Sequence, residues 1–148
     1  MGIGYSRFVI RGLGSKHALV TSATATQTSL ADALQARFID FGAKITGLVQ
    51  KLPRSPAGTH YARQMLRSGT AAAPNYAEAR SAESRADFIH KMRIVLKELN
   101  ETAVWLRMAV RSELFSRDVT SEILAEAEQL CRIVAASIRT AKSPQRQD

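Results

Sequence analysis

Apolar residues recur at steps of three and four along most of the chain, which is the spacing of one face of an α-helix. The first stripe predicts a helix over residues 30–52, with Ser29 as its N-cap and Pro53 as its stop. After a short loop rich in proline and glycine, a second stripe predicts a helix over residues 59–80. Both predicted helices are amphipathic and need partners to cover their apolar faces.

The second half of the chain repeats this pattern more regularly. Ser84 can cap a third helix, Asp87 can supply the acid of a capping box, and a heptad-like apolar stripe follows until about Ser112. A fourth stripe opens at residues 116–118 and ends at residues 142–144, where a proline stops it. The sequence therefore contains four amphipathic helices of similar length.

Pro74 lies inside the second of these helices. A proline there removes one backbone hydrogen bond and crowds the preceding turn, so we expect either a kink or a restart at this point. The small residues of the run 69–73 would allow a neighbouring helix to approach closely.

Four amphipathic helices joined by short connections predict an all-α fold, an antiparallel up-down-up-down four-helix bundle over residues 30–142. Residues 1–29 contain no acid and end in a Ser/Thr/Ala-rich run, which predicts a disordered basic arm. Two alternatives stay open for this arm: a start codon placed too far upstream, or a short ordered element at residues 8–10. Residues 143–148 are expected to form a flexible tail.

The chain of 148 residues carries a formal net charge of +8, with a pI near 10.3. Such a charge favours a polyanionic partner, although it can also serve solubility alone. The chain has one cysteine and no apolar run of about 20 residues, as a membrane span would need. We therefore expect a soluble cytoplasmic protein.

The positive charge is unevenly distributed. Residues 53–111 contain ten basic and five acidic side chains, whereas residues 113–128, which lead into the last helix, are acidic on balance. An uneven distribution favours a binding face over a uniform coat, although an ordinary solvated face is the alternative. The predicted nucleic-acid-binding residues are Arg63, Arg67, Arg93, Lys97, Arg107 and Arg111.

A second set of polar residues lies beside the apolar stripe of the third helix. Lys91, Glu98 and Trp105 are seven residues apart and share one column at the edge of the core. A charge in such a partly buried position needs a partner. We predict Arg67 as the partner of Glu98 and Glu78 as the partner of Lys91. Trp105 could stack on a nucleobase, but we favour a packed edge residue.

Signals for catalysis are few. His17, His60 and His90 stand apart, without the spacing of metal ligands or a paired cysteine. Ser68 has no candidate base nearby, and no glycine-rich phosphate loop is present. The sequence predicts no catalytic residue, no metal and no cofactor, and we expect a protein that is not an enzyme.

Several short motifs together resemble a known family. They are Gln64-Met-Leu-Arg67-Ser68, Pro74-Asn75-Tyr76-Ala-Glu78-Ala, Asp87-Phe88-Ile-His-Lys91, Lys97-Glu98 and Trp105-Leu106. In this respect the chain resembles the bacterial four-helix-bundle proteins first noticed as reading frames within intervening sequences of 23S rRNA genes. The resemblance covers about residues 37–139 and implies the same bundle fold.

The resemblance also carries implications for assembly and partners. A sister group contains the accessory proteins of diversity-generating retroelements, which are small basic bundles that form pentamers around a reverse transcriptase and its RNA. The resemblance thus implies a homo-oligomer, with five as the expected number. Together with the basic charge, it predicts a protein that binds nucleic acid, with RNA favoured over DNA. The alternative function is a protein-interaction scaffold for a partner such as a reverse transcriptase.

Some polar residues belong to the recurrent pattern of that family. We interpret them, together with Trp105, as a structural or oligomer-forming polar network, with ligand recognition as the alternative. The members of this network are Arg67, Asn75, Glu78, Lys91, Glu98 and Trp105.

Overall fold

Four helices make up the computed structural model, which describes the backbone of residues 20–143 and the side chains of residues 30–143. They are α1 (Val20–Val49), α2 (Pro56–Arg80), α3 (Arg85–Arg111) and α4 (Arg117–Lys142). No strand occurs within residues 20–143. None of these four helices combines the length and hydrophobicity that crossing a membrane requires.

The helices are arranged as an antiparallel up-down-up-down bundle, which confirms the predicted fold class. Each helix packs against the next along the chain, and α1 touches α4 to close the bundle. The connections are only a few residues long, so consecutive helices must run in opposite directions. The apolar stripes of all four helices meet in one continuous core that includes Phe38, Met65, Leu99 and Leu130.

The start of α1 differs from the prediction. The helix begins at Val20, so the predicted N-cap Ser29 lies inside it and residues 20–29 of the predicted arm have helical backbone. This run contains neither glycine nor proline, so nothing in it stops a helix that the core already holds further along. Residues 1–19 of the arm, and residues 144–148 of the tail, lie outside the described residues.

The connection between α1 and α2 ends earlier along the chain than predicted. α2 begins at Pro56 rather than near Thr59, because a proline at the first helical position loses no hydrogen bond and already has the helical φ. The hydroxyl of Ser55 accepts a hydrogen bond from the Gly58 amide at 3.1 Å and so caps the helix. α1 also ends slightly early, at Val49.

α2 runs through Pro74 without a restart. Pro74 is exposed, and so is Thr70, whose carbonyl is the group that loses its helical donor and can instead face water. Two neighbouring carbonyls receive side-chain donors: the Asn75 amide donates to Ala71 at 2.8 Å, and the Gln35 amide of α1 donates to Ala73 at 3.1 Å. The helix therefore tolerates the proline on its outer side.

The predicted start of α3 and both ends of α4 are confirmed. Ser84 Oγ accepts from the Asp87 amide at 3.0 Å, and the Asp87 carboxylate accepts from the Glu83 amide at 3.3 Å. The carboxylate thus reaches one residue beyond the N-cap that a capping box would use. Ser116 and Ser143 flank α4 at its two ends.

α1 and α2 approach closely where both carry glycine. A Cβ added to Gly69 would lie 2.8 Å from Ile45 Cγ2, and one added to Gly42 would lie 3.5 Å from the Gly69 carbonyl oxygen. Ile45 is fully buried and β-branched, so its side chain has little freedom to move aside. The close approach predicted for the small residues before Pro74 is therefore present at Gly69.

The contact between α1 and α4 is of a different kind. Arg37 makes two 2.9 Å hydrogen bonds to the Glu126 carboxylate, and Lys44 Nζ lies 2.5 Å from Glu122. The lysine holds the pKa of Glu122 below its usual value, chiefly through the hydrogen bond. Two ion pairs thus join the first helix to the last beside the shared apolar core.

The glycine contact yields a stability prediction. Gly69→Ala should lower the free energy of unfolding by about 1–2 kcal/mol, because the new methyl group overpacks against Ile45. Gly47→Ala, for which no atom lies within 4 Å of the new Cβ, should instead raise it by about 0.4–1 kcal/mol. Urea unfolding of the two variants measures both changes, and stabilisation by Gly69→Ala would refute the close approach.

Candidate nucleic-acid interface

The outer face of α3, which we call the α3 face, carries no carboxylate. It consists of the nine positions of this helix that are exposed. They are Ala86, His90, Arg93, Lys97, Asn100, Val104, Arg107, Met108 and Arg111.

Four of these nine residues are basic and share one side of the helix. Viewed down the axis at about 100° per residue, Arg93 and Arg111 coincide, and Lys97 and Arg107 lie about 40° to either side of them. At 1.5 Å per residue, the first and last are about 27 Å apart along the axis. The α3 face is thus a long basic stripe rather than a local cluster.

The three acids of α3 all take part in other contacts. Asp87 belongs to the N-terminal cap and lies 3.5 Å from Lys91. Glu98 is buried, and Glu101 is half-buried, at the contact with α2. Because the acids are turned towards the cap and towards α2, positive charge alone remains on the outside.

One arginine of α2 balances both inner carboxylates. Arg67 Nη1 lies 3.4 Å from Glu98 Oε2, and Arg67 Nη2 donates to Glu101 Oε1. The hydrogen bond from Arg67 holds the pKa of Glu101 below its usual value and raises the pKa of Arg67. The predicted pair Arg67–Glu98 is therefore present, and Glu101 is a partner that the sequence pattern did not reveal.

Lys91 makes the second predicted ion pair. Its Nζ lies 3.9 Å from Glu78 of α2 and 3.5 Å from Asp87 of its own helix. Asn75 does not join these pairs, because its side-chain amide is bonded to the Ala71 carbonyl within α2. Both predicted ion pairs are therefore present, and Asn75 belongs to neither of them.

A buried hydroxyl pair lies beneath Arg67 and was not predicted. Thr102 Oγ1 of α3 and Ser68 Oγ of α2 are 2.8 Å apart, and both residues are fully buried. Each hydroxyl also lies within hydrogen-bond distance of a carbonyl one turn earlier in its own helix. The sequence feature that could have revealed this pair is a small polar residue on the inward side of each helix, at the level of the predicted Arg67–Glu98 pair.

Trp105 lies at the edge of the same helix contact. Its ring centre is 5.5 Å from that of His60 and 5.4 Å from that of Tyr61, both at edge-to-face angles. The indole Nε1 donates to Glu101 at 3.3 Å. Trp105 is thus a packed edge residue, as favoured from the sequence.

Two of the six predicted nucleic-acid-binding residues already have acidic partners. Arg67 pairs with the two inner carboxylates, and Arg107 lies 2.7 Å from Glu128 of α4. The other four are exposed and have no salt bridge among the described residues. These are Arg63, Arg93, Lys97 and Arg111.

The residues considered for chemistry do not converge. His60 packs against aromatic rings, His90 is exposed, and His17 lies outside the described residues. Cys131 is half-buried, and burial raises the pKa of its thiol. Within the described part of the chain, no group of three or more His, Cys, Asp or Glu side chains could hold a metal ion.

Comparison with known proteins bears on the fold and the family of the chain. A family model described as "23S rRNA-intervening sequence protein" matches residues 34–136. The chain belongs to this family. The family resemblance inferred from the sequence motifs is thereby confirmed, while the relation to the accessory proteins of diversity-generating retroelements stays a prediction.

A solved structure also resembles this chain. It is a protein with unknown function from the S23 ribosomal protein family of Bacteroides thetaiotaomicron, with 32% sequence identity and a TM-score of 0.69. The match covers 74% of this chain and 97% of that one. No curated protein matches the chain. The family match thus fixes the architecture and supplies no activity.

Among residues 30–143, Tyr76 is the one fully buried aromatic side chain that carries a polar group. Its ring packs 4.8 Å from that of Phe38, and its hydroxyl has no hydrogen-bond partner among the described residues. Burial raises the pKa of Tyr76 to about 12. The folded protein therefore favours the neutral phenol. The resulting contribution to the free energy of unfolding is fully present below pH 10 and is lost as the pH rises towards 12.

Tyr76→Phe should remove this alkaline loss of stability. At pH 7 it should also raise the free energy of unfolding by about 1 kcal/mol, since it deletes a buried hydroxyl without a partner. Tyr61→Phe keeps Tyr76 in place and should retain the alkaline loss. Urea unfolding at pH 7, 9 and 11 compares the variants, and parallel pH profiles for both would contradict the role of Tyr76.

The buried hydroxyl pair gives a prediction with a matched control. Thr102→Val keeps the shape of the side chain and removes its hydrogen bond to Ser68, so it should cost about 1 kcal/mol of stability. Thr70→Val is the control, because the Thr70 hydroxyl also donates to a carbonyl one turn earlier, that of Leu66, but lies on the exposed side of α2. It should change stability by less than about 0.5 kcal/mol. Equal effects in thermal unfolding would show that the pair does not join the helices.

Proposed function

We propose that the protein binds nucleic acid, RNA in the first instance, through phosphate contacts made by the α3 face. The observation that carries this proposal is the absence of any carboxylate among the exposed positions of α3. All three acids of the helix are turned to the cap or to α2, while four basic residues remain outside. A helix face of this composition attracts polyanions without selecting a sequence.

The dimensions of the stripe suit an extended backbone. A stripe of about 27 Å is long enough to lie along several successive nucleotides of one strand. The basic residues form two pairs, Arg93 with Lys97 and Arg107 with Arg111, separated by the neutral Asn100 and Val104. Two phosphate groups separated along the nucleic acid can therefore be contacted at once.

The side chains without acidic partners are the best candidates for these contacts. Arg93, Lys97 and Arg111 on α3 can turn towards phosphate without breaking an ion pair, and Arg63 lies one turn before Arg67 on α2. Arg67 is less suited, because leaving its position would strand the buried Glu98. Arg107 would have to exchange Glu128 for phosphate.

Self-association belongs to the same proposal. Large apolar side chains are exposed on helices other than α3, with Ile39 of α1 at 55% and Val119 of α4 at 43%. A closed ring, with the pentamer implied by the sequence resemblance as the expected form, would repeat the α3 face around one axis. Repetition would multiply a weak electrostatic contact into useful avidity.

The test removes charge from the α3 face while keeping a control of equal charge. Arg93→Gln with Lys97→Gln should weaken binding of a generic RNA by about tenfold or more and flatten its salt dependence, since two phosphate contacts are lost. Arg132→Gln with Arg139→Gln removes the same charge from exposed positions of α4 and should have a much smaller effect. Fluorescence anisotropy across a salt series measures both variants.

Two outcomes would overturn the proposal. Equal weakening by both double variants would assign binding to net charge rather than to the α3 face. No RNA binding by the wild-type protein at low salt would favour the protein-interaction scaffold instead. Light scattering on the same samples reports whether the variants keep the oligomeric state of the wild type.

A further inference from the structure

A groove between α3 and α4 gathers three arginines. It measures about 270 Å³ and is lined by Arg107, Arg111, Arg117, Thr120 and Ser121 together with apolar side chains. No carboxylate lines it. Arg117, which opens α4, did not stand out in the sequence, because it is separated from the arginines of α3 by the connection between the helices.

The three arginines are not equivalent. Arg107 is held 2.7 Å from Glu128, so its charge is already balanced. Arg111 and Arg117 are exposed and have no salt bridge among the described residues. The groove therefore presents two uncompensated positive charges on planar groups that can each donate two parallel hydrogen bonds.

We infer that this groove binds the terminal phosphate of an RNA strand. A phosphate monoester carries a charge of about −1.5 to −2 at neutral pH, which matches the two unbalanced guanidinium groups. An internal phosphodiester carries only one negative charge and would leave one of them without a partner. The volume of the groove is slightly below that of a typical small-molecule pocket, about 300–1,000 Å³, and suits a phosphate with part of its nucleoside rather than a duplex.

This inference rests on the proposed nucleic-acid binding and adds to it a site for one end of the strand. The α3 face would hold the strand along α3, and the groove at the C-terminal end of the same helix would recognise where the strand stops. Arg111 belongs to both surfaces, because it is exposed on the α3 face and lines the groove. A strand bound along α3 thus leads directly to the groove.

The test compares one single-stranded RNA oligonucleotide in three forms: with a 5′-phosphate, with a 3′-phosphate and with neither. One phosphorylated form should bind the wild-type protein about tenfold more tightly than the unphosphorylated one. Arg117→Gln should abolish that preference while leaving the affinity for the unphosphorylated oligonucleotide nearly unchanged. Arg132→Gln, an exposed arginine of α4 outside the groove, should keep the preference.

A second variant tests the charge argument in the opposite direction. Glu128→Gln releases Arg107 from its ion pair, so it should strengthen binding of the phosphorylated oligonucleotide. Equal binding of all three forms by the wild-type protein would overturn the inference and leave the proposed function intact.

If the wild-type protein binds none of the RNAs at low salt, the proposed function fails, and inorganic phosphate alone then probes the groove. Saturable shifts of the Arg117 amide signal in NMR spectra, absent in Arg111→Gln, would support a phosphate site. Shifts that do not saturate would overturn it.

Discussion

Glu98 lies at the contact of α2 and α3 with only 10% of its side chain exposed, so its charge has to be balanced from within the protein. The balance comes from Arg67, which reaches across from α2 and also engages Glu101. The hydroxyl pair of Ser68 and Thr102 lies directly beneath and supplies a hydrogen bond between the helices where only apolar packing would otherwise be found. This group of polar side chains acts together with the buried apolar stripe of α3 to set the rotation of the helix about its axis. The rotation in turn decides which residues of α3 face outward.

Much of the arrangement could be predicted because helical spacing fixes which residues share a side. The column that contains Lys91 and Glu98 predicted ion pairs with Glu78 and Arg67, and both pairs are present. Helix ends were harder to predict. The start of α1 at Val20 was missed, because a composition poor in apolar residues says little about a segment that extends from a helix already held by its core.

The candidate site could be predicted only in part, because spacing along one helix does not reveal what a neighbouring helix places beside it. The basic residues of α3 were found from the sequence, but the neutralisation of Arg107 by Glu128 depends on how α4 lies against α3. The same packing brings Arg117 to the groove beside Arg111. The packing of α4 thus divides the basic residues into those that already pair with a carboxylate and those that can still contact a ligand. Net charge alone could not make that distinction.

The ion pairs between α1 and α4 make ionic strength an influence on the scaffold as well as on its surface. Arg37–Glu126 and Lys44–Glu122 join the first helix to the last, and Arg80–Asp32 joins α1 to α2 beside the close contact at Gly69. These pairs are partly exposed, so salt weakens each of them by a small amount. Salt therefore acts on how α1 is held against both of its neighbours, while the apolar core beneath these pairs is not screened.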